Sequence, residues 1–203
     1  MPTTLPPRII AFGSSTILGR MDAAYGGFVA RLRAHHEAQA TKNIVYNLGI
    51  WGDTILGMIN RISEVKIRKP HLIILYLGFN DIVRTGAGNA LQSKPLDESL
   101  SEVQSLLNLL KDIAPVIFIT GFPFDDSKTT PYLKGDSYYR LDDAKIYTEK
   151  LITLCSNAGI KVLDLFHNWP NDPSLLDSDG LHANTAGHEE IFNKLIEFLD
   201  ILL

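Results

Sequence analysis

Four short stretches of the sequence carry residues whose types and order could perform acyl transfer. They are Phe12-Gly13-Ser14-Ser15-Thr16, Asn47-Leu48-Gly49-Ile50-Trp51-Gly52-Asp53-Thr54, Leu77-Gly78-Phe79-Asn80-Asp81 and Asp179-Gly180-Leu181-His182. Such chemistry requires a nucleophile, a base, a group that orients the base, and donors for the oxyanion. Ser15 can supply the nucleophile on a tight turn that Gly13 relaxes. His182 can be the base, because histidine exchanges a proton near neutral pH. Asp179, three residues earlier, can accept from the other ring nitrogen and hold the tautomer. The backbone N–H groups of Ser15 and Gly52, with the side-chain amide of Asn80, could receive the oxyanion.

Each residue also has a plainer reading. Ser14 and Ser15 could cap a helix, Gly52 could serve only a turn, and Asn80 could brace its loop. Asp81 is read as a brace around Asn80, and Asp53 as the N-cap of the helix that follows it. Asp177 competes with Asp179 for orienting the base.

The elements that must position these residues alternate along the chain. Strand-length apolar runs occupy Arg8–Phe12, Ile44–Leu48, His71–Leu77, Val116–Thr120 and Lys161–Leu165, without the polar alternation of a half-exposed strand. Helical patterns lie near Gly27–Glu37, Thr54–Lys66, Leu96–Ile113, Leu141–Asn157 and Ala186–Leu202, with Gly159 placed to end the fourth. Five strands alternating with five helices imply a parallel sheet covered on both faces by right-handed crossovers. In such sheets ligands bind beyond the carboxyl ends of the strands. Ser15, Gly52 and Asn80 follow the first three strands, and His182 lies in the loop after the fifth, so all four are expected at one edge.

These blocks resemble the SGNH hydrolases, also called GDSL-type esterases and lipases. That family has a GDS motif after the first strand, a glycine after the second, GxND after the third and DxxH before the last helix. Here the corresponding residues are Gly13-Ser14-Ser15, Gly52, Gly78-Phe79-Asn80-Asp81 and Asp179-Gly180-Leu181-His182, in family order over about 170 of the 203 residues. The resemblance implies a single flavodoxin-like α/β domain over residues 1–203, a three-layer α/β/α sandwich with a five-stranded parallel sheet of order 2-1-3-4-5. It implies a serine hydrolase of carboxylic esters, with a Ser15–His182–Asp179 triad and an oxyanion hole from Ser15, Gly52 and Asn80. One position departs from the pattern: Ser14 stands where the family has an acidic residue. The motif offset from Gly13 places the nucleophile at Ser15 rather than Ser14.

Composition narrows the remaining classes. With 45% apolar and 21% charged residues, the chain is expected to fold. Nineteen Lys+Arg against 23 Asp+Glu leave a net charge of −4 and no basic footprint for nucleic acid. A single cysteine, Cys155, allows no internal disulfide and no CxxC pair, and it reads as a packed small residue. No apolar run reaches the roughly 20 residues of a membrane span. The N-terminal MPTTLPPRIIAFG, with Pro2, Pro6 and Pro7, reads as a short tail rather than a signal peptide. The expectation is therefore a cytoplasmic enzyme acting on a small-molecule ester, with no cofactor and no metal.

Among the other histidines, His188 is expected at the surface, and His35 and His36 on a solvated face with Arg31 and Arg33. The irregular aromatic segment Phe122–Tyr139 follows the fourth strand. It could line an acyl or alcohol pocket or merely hold itself together. Two other functional readings share the residues: an acyltransferase, thioesterase or carbohydrate acetylesterase using the same site, and a non-catalytic flavodoxin-like binding module. The first block lacks GxGxxG, and no GxxxxGK[ST] loop is present, which weighs against nucleotide binding.

Overall fold

Successive side chains of a strand point to opposite faces, so a continuous apolar run must be covered on both sides. The computed structural model, which describes residues 5–86 and 92–202, meets that demand with a sheet between two helical layers. Pro2 of the N-terminal tail lies outside the described residues. The sheet comprises β1 (Arg8–Gly13), β2 (Ile44–Gly49), β3 (Leu72–Tyr76), β4 (Val116–Ile119) and β5 (Lys161–Leu163). All neighbours are parallel and the order is β2-β1-β3-β4-β5, the flavodoxin-like arrangement expected. Ile10 aligns with Tyr46 on one side and Ile73 on the other.

In chain order the helices are α1 (Ser15–Leu18), α2 (Gly27–Glu37), α3 (Ile55–Asn60), α4 (Ile62–Ile67), α5 (Leu96–Lys111), α6 (Asp126–Thr129), α7 (Leu141–Asn157), α8 (Leu165–Asn168) and α9 (Thr185–Leu202). Ile10, Phe12, Ile73, Leu75 and Phe118 pack on one face against Met58, Val65, Leu107 and Leu151 from α3, α4, α5 and α7. Ile9, Ala11, Ile74 and Ile117 pack on the other against Leu32 of α2 and Ile191 and Leu195 of α9. Each fully buried aliphatic or aromatic side chain contributes about 1.5–3 kcal/mol through lost water contact.

The strand boundaries shift by one or two residues from the apolar runs. The largest difference is at Leu165, which opens α8 instead of ending β5. Asp164 caps that helix by accepting from the His167 N–H, while the Thr120 hydroxyl accepts from the Leu165 and Phe166 N–H groups. Gly159 lies just past the end of α7, with a positive φ of 70°, as its placement suggests.

The expected helix over Thr54–Lys66 is broken at Arg61, whose φ and ψ are −109° and 21°. The Arg61 guanidinium turns inward, forms an ion pair with Asp53 at 2.7 Å, and donates to the Gly13 and Leu48 carbonyls at 3.1 and 2.9 Å. It also lies 4.4 Å over the Phe12 ring. This pairing corrects the reading of Asp53 as a cap: Thr54 caps α3, its hydroxyl accepting from the Gly57 N–H.

Two other expectations are corrected. His188 is buried at the start of α9, where Nδ1 accepts from the Phe28 N–H and Nε2 therefore donates to the Arg20 carbonyl at 2.9 Å. Of the presumed solvated face on α2, Arg33 and His35 are exposed, but His36 is buried against the Pro6 carbonyl and Arg31 pairs with buried Asp22. Local periodicity could not show these partners, because each lies outside the helix that carries the residue it binds. Cys155 is buried as expected, and burial pushes its thiol up to about 12, so it stays protonated at neutral pH.

Candidate active site

The site forms at the carboxyl edge of the sheet, beside the switch point between β1 and β3. The crossing at Gly13 is tight: a Cβ there would lie 2.5 Å from the Tyr76 carbonyl oxygen and 2.8 Å from Ile17 Cγ1. A side chain at this position would push β1 from β3, so glycine is needed for close approach. Ser15 then opens the single turn of α1. The first intrahelical bond runs from the Leu18 N–H to the Ser14 carbonyl, so the Ser15 N–H has no acceptor within its helix.

Ser15, His182 and Asp179 are each at most 7% exposed and form one hydrogen-bonded line. The Asp179 carboxylate accepts only, so His182 Nδ1 carries the proton and donates to Asp179 Oδ2 at 2.7 Å. Nε2 then accepts from the Ser15 hydroxyl at 3.0 Å. Burial alone would raise the Asp179 pKa. The His182 ring and the backbone N–H groups of His182 and Leu181 outweigh it, so the carboxyl is held well below the usual range. Asp177 instead accepts from the Ser178 hydroxyl, and its own N–H donates to the His182 carbonyl. Ser14 occupies the N-cap position of α1 without a side-chain cap bond.

The oxyanion candidates border the same cavity, together with Trp51, Tyr132 and Phe122. Gly52 has φ of +73°, and a Cβ there would meet nothing within 4 Å, so backbone conformation rather than space selects glycine. Asn80 Nδ2 donates to the Asp53 carbonyl at 2.9 Å, which orients the amide and leaves its second N–H for another acceptor.

The Phe122–Tyr139 segment combines its two readings. It contains α6 and is held internally by the Tyr132 N–H on the Ser137 carbonyl at 2.8 Å and the Tyr139 N–H on the Thr129 carbonyl at 3.0 Å, while Ser137–Tyr138 pairs antiparallel with Arg84–Thr85. It also sends Phe122, Tyr132 and Tyr139 into the cavity wall. Tyr132 donates to Asp179, a contact with no signal in the sequence beyond the aromatic character of the segment.

Asp81 braces the site from below. Its buried carboxylate accepts from the Ile55 N–H through both oxygens, at 3.2 and 3.1 Å, with Lys94 at 3.6 Å. Burial pushes its pKa up to about 6 although Ile55 and Lys94 oppose the shift. The folded state therefore keeps this proton where the unfolded chain, at an ordinary value of 3.8, has lost it. The associated stability is present below about pH 4 and is lost as pH rises through about 6. Asp81→Asn does not titrate, so it should gain about 1–3 kcal/mol on the parent between pH 4 and 7. Urea unfolding of both proteins across that range checks the prediction; parallel curves would refute it.

Among the described residues, no group of three or more His, Cys, Asp or Glu could hold a metal ion. No helix among them is long and apolar enough to cross a membrane.

Fold and site together place polar residues from four separate segments at the switch edge of a flavodoxin-like sheet. Residues 11–190 match the GDSL-like Lipase/Acylhydrolase family, and the chain belongs to it. Similar proteins include the GDSL esterase/lipase CPRD49 of Arabidopsis thaliana, 26% identical over 94% of this chain and 77% of that one. The GDSL esterase/lipase WDL1 of Oryza sativa subsp. japonica is 23% identical over 95% of this chain and 77% of its own. Among solved structures, a lipase/acylhydrolase from Enterococcus faecalis superposes with a TM-score of 0.76 at 20% identity, covering 95% of both chains. A catalytic mutant of an acetylxylan esterase from Geobacillus stearothermophilus gives 0.73 at 18% identity, over 97% of this chain and 95% of that one.

Proposed function

We propose that this chain, acting as one domain over residues 1–203, hydrolyses carboxylic esters through an acyl-enzyme on Ser15. The observation that carries this reading is the unbroken hydrogen-bonded line from Ser15 Oγ through both nitrogens of His182 to Asp179 Oδ2. His182 Nε2 takes the hydroxyl proton as Oγ attacks the ester carbonyl. Asp179 stabilises the imidazolium that results. The oxyanion is received by the Ser15 and Gly52 N–H groups and the free amide N–H of Asn80, each donor being worth about 2.7–4 kcal/mol at such sites. Collapse breaks the ester C–O bond, and the departing alkoxide takes the proton from Nε2. Water, deprotonated by the same nitrogen, then attacks the acyl-enzyme and releases the acid.

A fluorophosphonate probe tests the nucleophile directly. Covalent labelling should map to Ser15 and not Ser14, read by peptide mass. Labelling at Ser14 would reject Ser15 as the nucleophile, and no labelling at either serine would favour a binding module.

One observation favours a narrower substrate. The cleft beside Ser15 offers about 60 Å3. On the measure by which a water needs about 10–15 Å3, that suits a short acyl group better than a long one. At its mouth Trp51 is 60% exposed, with the Arg20 guanidinium stacked 4.7 Å over its ring. A small acyl group on a bulky alcohol fits this shape, and acetylxylan esterases occur among the structural neighbours. Acetyl esters should therefore be turned over faster than octanoyl esters of the same alcohol.

A further inference from the structure

We propose that Tyr132 is a positioning residue of the reaction, its phenol holding Asp179 Oδ2 and setting the charge that this oxygen presents to His182. The inference rests on the Ser15–His182–Asp179 reading and extends it to a segment outside the four sequence blocks.

A carboxylate offers about four acceptor sites, and those of Asp179 are filled. Oδ1 accepts from the N–H groups of Leu181 and His182 at 2.8 and 3.0 Å. Oδ2 accepts from His182 Nδ1 at 2.7 Å and from the Tyr132 hydroxyl at 2.9 Å. Three of these donors belong to the loop that carries Asp179, so they travel with it. Tyr132 comes from a separate segment after β4, and its bond fixes the carboxylate relative to the rest of the site. The same segment is tied to that loop a second time, by the Asp125 N–H donating to the Gly180 carbonyl at 2.8 Å.

The phenol is itself firmly placed. The Tyr132 N–H donates to the Ser137 carbonyl at 2.8 Å, and its carbonyl accepts from the Gly135 N–H at 2.9 Å. Leu133 and Lys134, which follow, have φ of +49° and +56°, conformations costly for residues other than glycine. The ring meets Tyr139 edge-on at 5.5 Å and lies tilted 6.5 Å from the His182 ring. The charged and titratable groups around it are Asp179, Tyr139 and Arg20, while His188 lies within electrostatic reach of His182. Burial and the Asp179 carboxylate both push the Tyr132 pKa upward, so the phenol remains a donor.

The sign of the effect follows from sharing one oxygen. Tyr132 withdraws negative charge from Oδ2, so its removal leaves a carboxylate that stabilises the imidazolium more strongly but is less well aimed. Tyr132→Phe keeps the ring and deletes only the donor. On a short aryl ester its kcat should fall about 3–10-fold with KM within about twofold of the parent. The acid limb of kcat/KM should move up by about half a pH unit. Limb position does not depend on the fraction of enzyme folded, so partial unfolding cannot imitate this shift. Asp179→Asn and Ser15→Ala are measured alongside. If both are severely impaired while Tyr132→Phe keeps the parent limb, the positioning role is overturned and the triad stands. If either retains parental turnover, the triad reading fails and takes this inference with it.

Discussion

Replacing Ser15 with alanine is expected to lower kcat on a short aryl ester by about 10^4-fold or more, the largest effect of any single substitution here. The reason is the unity of the line: without Oγ there is no atom to carry the acyl group, however well His182 and Asp179 are placed. Loss of one member of such a unit typically removes most of its catalysis, leaving only what binding and oxyanion stabilisation supply. The fold should scarcely notice. Only the Oγ bond to His182 Nε2 at 3.0 Å is lost, and a net hydrogen bond of about 0.5–1.5 kcal/mol shifts Tm by a few degrees at this chain length. Ser14→Ala is the paired control. Ser14 borders the cavity but is not in the hydrogen-bonded line, so its loss should cost less than about tenfold. Steady-state kinetics and thermal melting of the three proteins decide the matter, and reversed ranks of the two serines would refute the assignment.

Arg61→Ala should produce the largest loss of stability, about 3–5 kcal/mol, or roughly 10 °C in Tm. The Arg61 and Asp53 side chains are only 11% and 9% exposed. Truncating the arginine would leave the Asp53 carboxylate buried with its main counter-charge gone. It would also remove the donor to the Gly13 and Leu48 carbonyls at the ends of β1 and β2, and a cation over the Phe12 ring. Arg61→Lys should recover only part of the loss, because an ammonium lacks the planar fork that reaches a carboxylate and two carbonyls together. Arg61→Met combined with Asp53→Asn should be milder than Arg61→Ala, since it leaves no unpaired buried charge. Denaturant unfolding of these variants gives the comparison. A loss under about 1 kcal/mol for Arg61→Ala would show that the pair does not hold the strand ends together. Activity should fall as well, since Asp53 adjoins Gly52 and its carbonyl orients the Asn80 amide.

The five-strand sheet was legible because its cause is local. An unbroken run such as Leu72–Tyr76 cannot be satisfied unless both of its faces are covered, and the alternation of such runs with amphipathic stretches leaves few topologies. The order of the four polar blocks was legible for a related reason: each lies where a strand or loop must reach the carboxyl edge. Knowing that Ser15 and His182 would share that edge required only the topology. That they lie within hydrogen-bond distance, 167 positions apart in sequence, required the tertiary structure.

What stayed hidden in the sequence is the pairing of polar groups across segments. Asp53 looked like a cap because a carboxylate before a helix usually is one, yet Arg61 claims it. Arg61 reads as one more residue of a helix, but Asp53 and the carbonyls of Gly13 and Leu48 at the ends of β1 and β2 draw it inward, and the helix breaks there. His188 reads as solvent-facing from its place in the helix, yet the Phe28 N–H and the Arg20 carbonyl enclose it, and nothing around Tyr132 announces its bond to Asp179. The sequence by itself determined the layers of this protein, because burial of apolar area depends on each segment's own periodicity. Only the tertiary structure decided its polar partners, because a buried donor or charge must find an acceptor wherever the completed fold has left one.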